Sequence, residues 1–395
     1  MEKLLDGIRV VDLSRFLAGP YCATMLGDMG AEVIKVEPND GEYLRHVGPF
    51  YEGQSLYHMV MNRNKRGITV NTRVSAGREI LERMFETADI VISNYKPGVM
   101  EKMGFSWERL HKINPKLILV SISGWGQTGE KAGKPGFDSL AQAMFGLMSM
   151  TGPADGEPYL AGSFLIDYAT GIYAALGAMY ALYHREKTGL GQRVDACLLD
   201  SAISLMVDAV PVEKLLGLHR KRMGNLDRNS APVGNFKTAD DKYVFIVAGP
   251  DNFFAALMNV IGRPELIDDP LYKEPDSRFM HTLDINSVVG EWVAKYSRDE
   301  VVAILESKGI PVAPVLECWE AIEDPQVKHN EMVVNFPYTG LGDIPMPGFP
   351  VKMSETKGAV YRGAPRVGEH TDEVLREYGY SDADLEALRA QDAIR

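Results

Sequence analysis

Cysteine is scarce in this chain. Cys22, Cys197 and Cys318 are the only three in 395 residues, an odd number with no CxxC pair, which fits neither a disulfide framework nor a zinc site. Positive charge is also short: Lys and Arg total 42 against 54 Asp and Glu, a net charge of −12. That balance gives no basic footprint for nucleic acid, although a local cluster of cations would suffice for an anionic small molecule. The eight histidines are scattered, and there is no GxxxxGK(S/T) loop, no GxSxG elbow and no HExxH helix, so the usual signatures for nucleotide triphosphates, serine hydrolysis and metal chemistry are missing. No repeat or low-complexity tract interrupts the chain. The nearest approach to a membrane segment is Leu160–Tyr183, where Asp167 intervenes and the uncharged part, Tyr168–Tyr183, is shorter than the ~20 residues that span a bilayer. Charges break up the opening MEKLLDGIRVVDLS, which therefore does not read as a signal peptide. The expectation is a soluble protein of the reducing cytoplasm with no membrane or nucleic-acid partner.

What is there has ordinary globular composition, 45% apolar and 24% charged. Short apolar runs at Ile8–Leu13, Ala31–Val36, Gly67–Val70, Asp89–Ser93 and Leu117–Ser123 read as strands. A turn at Ala18-Gly19-Pro20 leads into a helix through Met29, and further helical patterns lie between later strands at Ser75–Ala88 and Trp107–Ile113. Strands that alternate with helices and are apolar on both faces predict a parallel sheet covered on both sides, a Rossmann-like α/β architecture. Later, Ser139–Met150 and Asp167–Arg185 read as buried helices, followed by a strand at Arg193–Cys197 and a helix from Asp200. A basic stretch at 218–230 (LHRKRMGNLDRNS) reads as a connector. Beyond it, Gly234–Thr238 and Tyr243–Ala248 flank an Ala-Asp-Asp turn, a hairpin signal, and Ser297 with Glu300 forms a capping box. The expected organisation is a large domain over 1–217, a connector at 218–230, a small α+β domain at 231–325, a second connector at 326–350 containing the Pro- and Gly-rich Pro337–Pro350, and a tail, 351–395, too short for its own core and returning to the large domain.

Two features bear on chemistry. The first strand–turn–helix–strand imitates a dinucleotide site, with Glu37 in the place of the ribose acid. Its turn reads LAGPYCAT, however, and Pro20 stands where a glycine would let a pyrophosphate approach. A nicotinamide-dependent oxidoreductase is thus an alternative by fold alone. The second is Asp167, the only charge in GSFLIDYATGIYAAL. A buried carboxylate needs donors, and a helix start supplies them. Asp167 reads locally either as an N-cap or as a nucleophile held dry beside a carbonyl. Likewise Lys96 and Lys102, on either side of a Pro-Gly turn, read as a solvated basic face or as phosphate ligands.

A collinear set of segments resembles the class III CoA-transferases, the family of formyl-CoA:oxalate and carnitine CoA-transferases. They are LDGIRVVDLSRFLAGPYCATMLGDMGAEVIKVE at 5–37, NKRGITVN at 64–71, NYKPGVMEKMGFSWERLHKINPKLI at 94–118, SGWGQTG at 123–129, the Asp167 helix with KTGLGQRVDACLLDS at 187–201, and PRVGEHTDEVL at 365–375. The resemblance implies a CoA-transferase that moves CoA from an acyl-CoA donor to a carboxylic acid, with Asp167 as nucleophile and aspartyl anhydride and aspartyl-CoA thioester intermediates. It implies CoA contacts at Leu17, Ala18, Val70, Asn71, Thr72, Arg73, Asn94, Tyr95, Lys96, Lys102, Pro135, Gly136, Phe137 and Asp138. It also implies an interlocked homodimer, and coenzyme A as substrate with no metal or other cofactor required. Two departures from formyl-CoA transferases put oxalate and formate in doubt: Leu17 replaces a glutamine that helps hold the acyl group, and no glycine-rich loop follows Ala231. Acyl-CoA racemases of the same superfamily pair this aspartate with a histidine in a Gly-His-Asp stretch. Here that stretch is Gly136-Phe137-Asp138, and phenylalanine carries no proton.

Overall fold

The computed structural model describes residues 3–338 and 340–395. Residues 1–2 of the expected large domain and residue 339 of the expected second connector lie outside the described residues. Six strands form one parallel sheet: β1 (Arg9–Asp12), β2 (Glu32–Glu37), β3 (Lys65–Thr69), β4 (Ile90–Ser93), β5 (Ile118–Ser123) and β6 (Arg193–Cys197). Their order across the sheet is 3-2-1-4-5-6, so the order reverses between β1 and β4, whose residues pair in parallel register from Val10 opposite Ile90. In such sheets ligand crevices open beyond the carboxyl ends of the strands at the reversal.

Successive strand residues point to opposite faces, and each face is covered. Val11, Ile34, Ile68 and Val91 pack under Ile80, Met84 and Phe85 of the helix Ser75–Thr87 and under Val374, Leu375, Leu385 and Leu388 near the C-terminus. Val10, Val33, Ile90 and Val120 pack under Cys22, Ala23 and Leu26 and under Ala174, Ala175, Ala178 and Leu182. The helices involved are α1 (Ala18–Asp28), α2 (Ser75–Thr87), α3 (Asp138–Met144), α4 (Leu165–Thr188) and α5 (Leu198–Ser204). Small residues let α4 approach α1 closely: a Cβ on Gly171 would lie 2.8 Å from the Ala18 carbonyl oxygen.

The chain divides into two compact units. The first holds residues 3–147, 160–217 and 325–395; the second holds 148–159 and 218–324. Within the second, β7 (Val233–Lys237), β8 (Tyr243–Val247) and β9 (Val312–Pro314) form an antiparallel sheet over an apolar core that includes Phe254, Leu257, Val289 and Leu305. The capping box at Ser297 and Glu300 is present. Returning to the first unit, β10 (Val333–Tyr338) and β11 (Gly342–Pro347) form a hairpin, and α6 (Thr371–Glu377) and α7 (Asp382–Ala390) supply the C-terminal core residues named above.

Four expectations need correction. Residues 148–159 fall in the second unit because Arg222 donates to the carbonyls of Ser149 (3.3 Å), Pro153 (3.3 Å) and Gly156 (2.8 Å), so the basic stretch binds a loop rather than merely connecting. Pro337–Pro350 is largely the β10–β11 hairpin; a two-stranded ribbon leaves outer edges where Pro337, Pro345 and Pro347 need not donate. Ser139–Met150 is not one helix, since Gly146 at φ +93° breaks it. Finally, α4 has 24 residues, long and apolar enough to cross a bilayer by length and composition. One side of it is core, with Ile166, Thr170, Ala174, Ala178 and Ala181 buried, but Leu165, Ile172, Leu176, Tyr180 and Tyr183 remain exposed, so it is not buried all round.

Candidate active site

Asp167 lies in the first turn of α4, two residues inside its start, and is half-buried. It is not the cap. That role belongs to Asp138, 3% exposed at the start of α3, whose Oδ2 accepts the N–H groups of Ile166 (2.7 Å) and Asp167 (3.1 Å). Its Oδ1 accepts from Gln142 Nε2, and Gln142 Oε1 accepts the Ala161 N–H at 2.9 Å. One helix thus anchors the start of the next, satisfying donors that a helix end would otherwise leave open. Burial, and then the neighbouring Asp138 carboxylate, push the Asp167 carboxyl up to about 7. A carboxyl so placed is basic for its kind while still ionising near neutrality, which suits a nucleophile.

Asp167 opens on a cavity of about 220 Å³ lined by Phe16, Leu17, Ala18, Asn94, Tyr95, Lys96, Pro135, Gly136 and Phe137, with Ser123, Gly124 and Lys134. These residues come from the turn after β1, the carboxyl ends of β4 and β5, and the loop before α3. Two glycines bring the last two together: a Cβ on Gly136 would lie 2.4 Å from Gly124 Cα, so neither position admits a side chain without moving backbone. Trp125 Nε1 ties the same loops through the Pro135 carbonyl at 3.0 Å. Phe16 and Phe137 stack edge to face, with centroids 6.2 Å apart.

Val70, Asn71, Thr72 and Arg73 lie elsewhere, on a second cleft of about 520 Å³ with Arg15, Tyr43 and His46. The two cavities share Tyr95, over whose ring the Arg15 guanidinium sits at 5.4 Å. Asn71 is occupied there, donating through Nδ2 to Asp392 Oδ2 (3.0 Å) and through its N–H to the Ala393 carbonyl (2.8 Å). Lys102 is exposed at the end of a four-residue helical turn, Val99–Lys102, and lines neither cavity. Asp138 does not line the first cavity either, because its carboxylate is taken up by α4.

A third cavity, about 450 Å³, is lined by Tyr21, Tyr57, Tyr168 and the buried Asp28–Arg63 pair. Arg63 donates to both Asp28 oxygens, at 3.1 and 2.7 Å, so that charge is already matched. Glu37, Glu42 and His58 lie close enough together to hold a metal ion. Their carboxylates, however, are engaged by Arg45 (2.6 Å to Glu37) and Lys35 (3.1 Å to Glu42), cations that a metal would have to displace.

The family model described as CoA-transferase family III matches residues 5–371. The chain belongs to CoA-transferase family III. It is 35% identical to succinyl-CoA–D-citramalate CoA-transferase of Chloroflexus aurantiacus, over 99% of this chain and 98% of that protein. It is 36% identical to acetyl-CoA:oxalate CoA-transferase of Acetobacter aceti, over 96% of both. Its fold matches the crystal structure of a CaiB/BaiF family protein from Brucella suis with a TM-score of 0.87 at 34% identity, covering 96% of this chain and all of that one. An enzyme of this family acts on CoA thioesters, and the assignment displaces the nicotinamide alternative, whose fingerprint Pro20 already interrupts in α1.

The sequence reading lacked Phe16, Ser123, Gly124 and Lys134. The segments holding Phe16, Ser123 and Gly124 carried the resemblance, but nothing local marked those positions as facing Asp167.

Proposed function

We propose that Asp167 is the nucleophile of a CoA-transferase whose donor is succinyl-CoA or a similar dicarboxylic acyl-CoA and whose acceptor is a small dicarboxylic acid. The supporting observation is the carboxyl itself: half-buried in the first turn of α4, raised to about 7, and facing the Leu17–Ala18 and Asn94–Lys96 segments in a family III chain. An Asp167 carboxylate oxygen attacks the thioester carbonyl, the C–S bond breaks, and CoA leaves as thiolate from an aspartyl–acyl anhydride. The thiolate then attacks the aspartyl carbonyl, releasing the donor acid and leaving aspartyl-CoA thioester. The acceptor carboxylate attacks that thioester to give a second anhydride, and the returning thiolate takes the acceptor acyl group and frees Asp167. Each step exchanges one activated acyl bond for another, so neither water nor a redox partner enters, and apolar walls at Phe16, Leu17 and Phe137 serve to keep water out.

CoA is proposed to run from the cleft at Val70–Arg73, past Tyr95, to Asp167. Lys96 and Lys134 supply the positive charge that the distal carboxylate or the phosphates need against a net charge of −12. The succinyl-CoA donor follows the Chloroflexus relative, and Leu17 in place of glutamine favours an acyl group larger than formyl. The racemase reading lacks a second base, since Phe137 stands in the cavity wall. The enzyme is proposed to act as an interlocked homodimer in the cytoplasm, the exposed apolar side of α4 facing the second copy.

Incubation with succinyl-CoA and a panel of mono- and dicarboxylic acids, read by mass spectrometry, tests the substrate class. Peptide mapping should find CoA or acyl mass on Asp167. Asp167→Ala should lose at least about a thousandfold in kcat while remaining folded. A folded Asp167→Ala protein with more than about a tenth of wild-type kcat would remove Asp167 from the chemistry.

A further inference from the structure

Beneath the cavity lies a buried group of charges that touches no substrate-facing space. Asp12, Lys35 and Lys65 have no side-chain exposure and Glu42 has 1%. Lys65 Nζ lies 2.9 Å from Asp12 Oδ2, and Lys35 Nζ lies 3.1 Å from Glu42 Oε1 and 3.7 Å from Asp12 Oδ2. Two cations and two anions balance, as burial demands. Buried ion pairs are seldom the most stable filling for such a space, since apolar side chains of the same volume commonly serve as well. The group therefore calls for a reason other than stability.

That reason is the turn it holds. Among the described residues, the hydrogen bonds from these four side chains to backbone all land between Ser14 and Pro20, while Asn62 meets Glu42 Oε1 and Lys65 Nζ through its side chain. Asp12 Oδ1 accepts the Ser14 N–H at 2.9 Å, and Lys35 Nζ donates to the Ser14 carbonyl. Glu42 Oε2 accepts the Phe16 N–H at 3.2 Å, and Lys65 Nζ donates to the Pro20 carbonyl at 2.9 Å. Asn94 completes the clamp, accepting from the Arg15 N–H (2.8 Å) and donating to its carbonyl (2.6 Å). The turn needs holding because Phe16, which is not glycine, has φ +63°, a left-handed conformation that persists only where the surroundings fix it. Its next residues, Leu17 and Ala18, line the cavity, and the Ala18 carbonyl is the atom against which Gly171 of α4 packs, one turn beyond Asp167.

We propose that Lys35 and Glu42 are positioning residues, which fix the strained Ser14–Pro20 turn so that Leu17 and Ala18 face the Asp167 carboxylate in register. The inference rests on the transferase reading above. Neither side chain lines the cavity, so neither binds substrate; displacement of the turn by about an ångström is enough to cost one to two powers of ten in rate.

Rapid mixing with succinyl-CoA, followed by mass spectrometry of the Asp167 peptide, gives the rate of adduct formation. Glu42→Ala removes the acceptor for the Phe16 N–H; Glu42→Gln keeps one. The Glu42→Ala enzyme should form the adduct at least about tenfold more slowly, with KM for the acyl-CoA within about threefold of wild type. Glu42→Gln should recover to within about threefold of the wild-type rate. A merely structural role would lower the folded yield without this split or this recovery. A folded Glu42→Ala protein that forms adduct at the wild-type rate overturns the proposal, as does a Glu42→Gln protein as slow as Glu42→Ala. Should Glu42→Ala not fold, the paired variant Lys35→Met/Glu42→Leu removes both charges together; a tenfold slower rate in it supports the proposal and a wild-type rate overturns it. Absence of any adduct on wild-type Asp167 would instead overturn the transferase reading, an outcome distinct from equal rates in wild type and variants.

Discussion

Asp138, at the start of α3, and Asp167, in the first turn of α4, both lie against the start of α4, yet only one of them has its charge compensated there. Asp138 accepts two helix N–H groups through Oδ2, while Asp167 faces the cavity and is raised to about 7 by burial and by Asp138. Its ordinary value is near ~4. In the unfolded chain the proton leaves around pH 4, and in the folded protein only around pH 7. Between those values the native state binds more protons, so this group's contribution to stability falls as pH rises. An Asp167→Asn protein, which does not titrate there, should match wild type in unfolding free energy near pH 4 and exceed it near pH 8, by about 1–2 kcal/mol once partial solvation is allowed for. Activity runs the other way: transfer needs the carboxylate, so kcat should rise with pH through a midpoint near 7. In Asp138→Asn the like charge is gone while an oxygen remains to accept from α4, and the kcat midpoint should fall by roughly half to one pH unit. A midpoint identical to wild type would mean that burial alone sets Asp167.

At the scale of elements, the alternation of strands and helices over the first 123 residues was legible, because parallel strands covered on both faces read as uninterrupted apolar runs. The start of α4 was legible to within two residues. Its cap was not: Asp138 lies 28 residues from Ile166 in sequence, and no local pattern announces a bond across that distance. The β10–β11 hairpin was missed because prolines read as connectors, and the break after α3 because one glycine inside an apolar run is also compatible with a buried helix. The lysines show the same limit. Lys96 and Lys102 look equivalent around a Pro-Gly turn, but the chain reverses at Gly98, φ +84°, so Lys96 meets the cavity and Lys102 ends a helical turn outside it. Lys96→Ala should therefore raise KM for acyl-CoA by about tenfold, the worth of one charge-assisted phosphate contact, with kcat changed little. Lys102→Ala should stay within about twofold. The Lys96 effect should shrink at high salt, where screening weakens the wild-type contact; equal effects from both lysines would place the phosphates outside this cavity.

For the whole molecule, the unexplained feature is the bare side of α4. Leu165, Ile172, Leu176, Tyr180 and Tyr183 lie along one face of a helix whose other face is core, and Leu165, Ile172 and Leu176 are each more than 40% exposed while Tyr180 and Tyr183 reach 64%. A contiguous stripe of large apolar side chains is costly to leave in water and calls for a cover. The proposed occupant is a second copy of the chain. Two chains that merely pack face to face would separate on dilution in proportion to their dissociation constant. Two chains linked through one another cannot separate without unfolding, so the particle mass should stay at twice 43.7 kDa from about 10 µM down to about 10 nM, and mixtures of tagged and untagged protein should not exchange subunits over hours under native conditions. Tyr180→Glu with Tyr183→Glu should lower the yield of folded dimer without producing a stable monomer, because the charges meet apolar surface only in the assembled state. Mass photometry across the dilution series is the deciding measurement. A species of 43.7 kDa that grows on dilution would show that the two chains are not linked, and prompt exchange between tagged and untagged protein would show the same by an independent route.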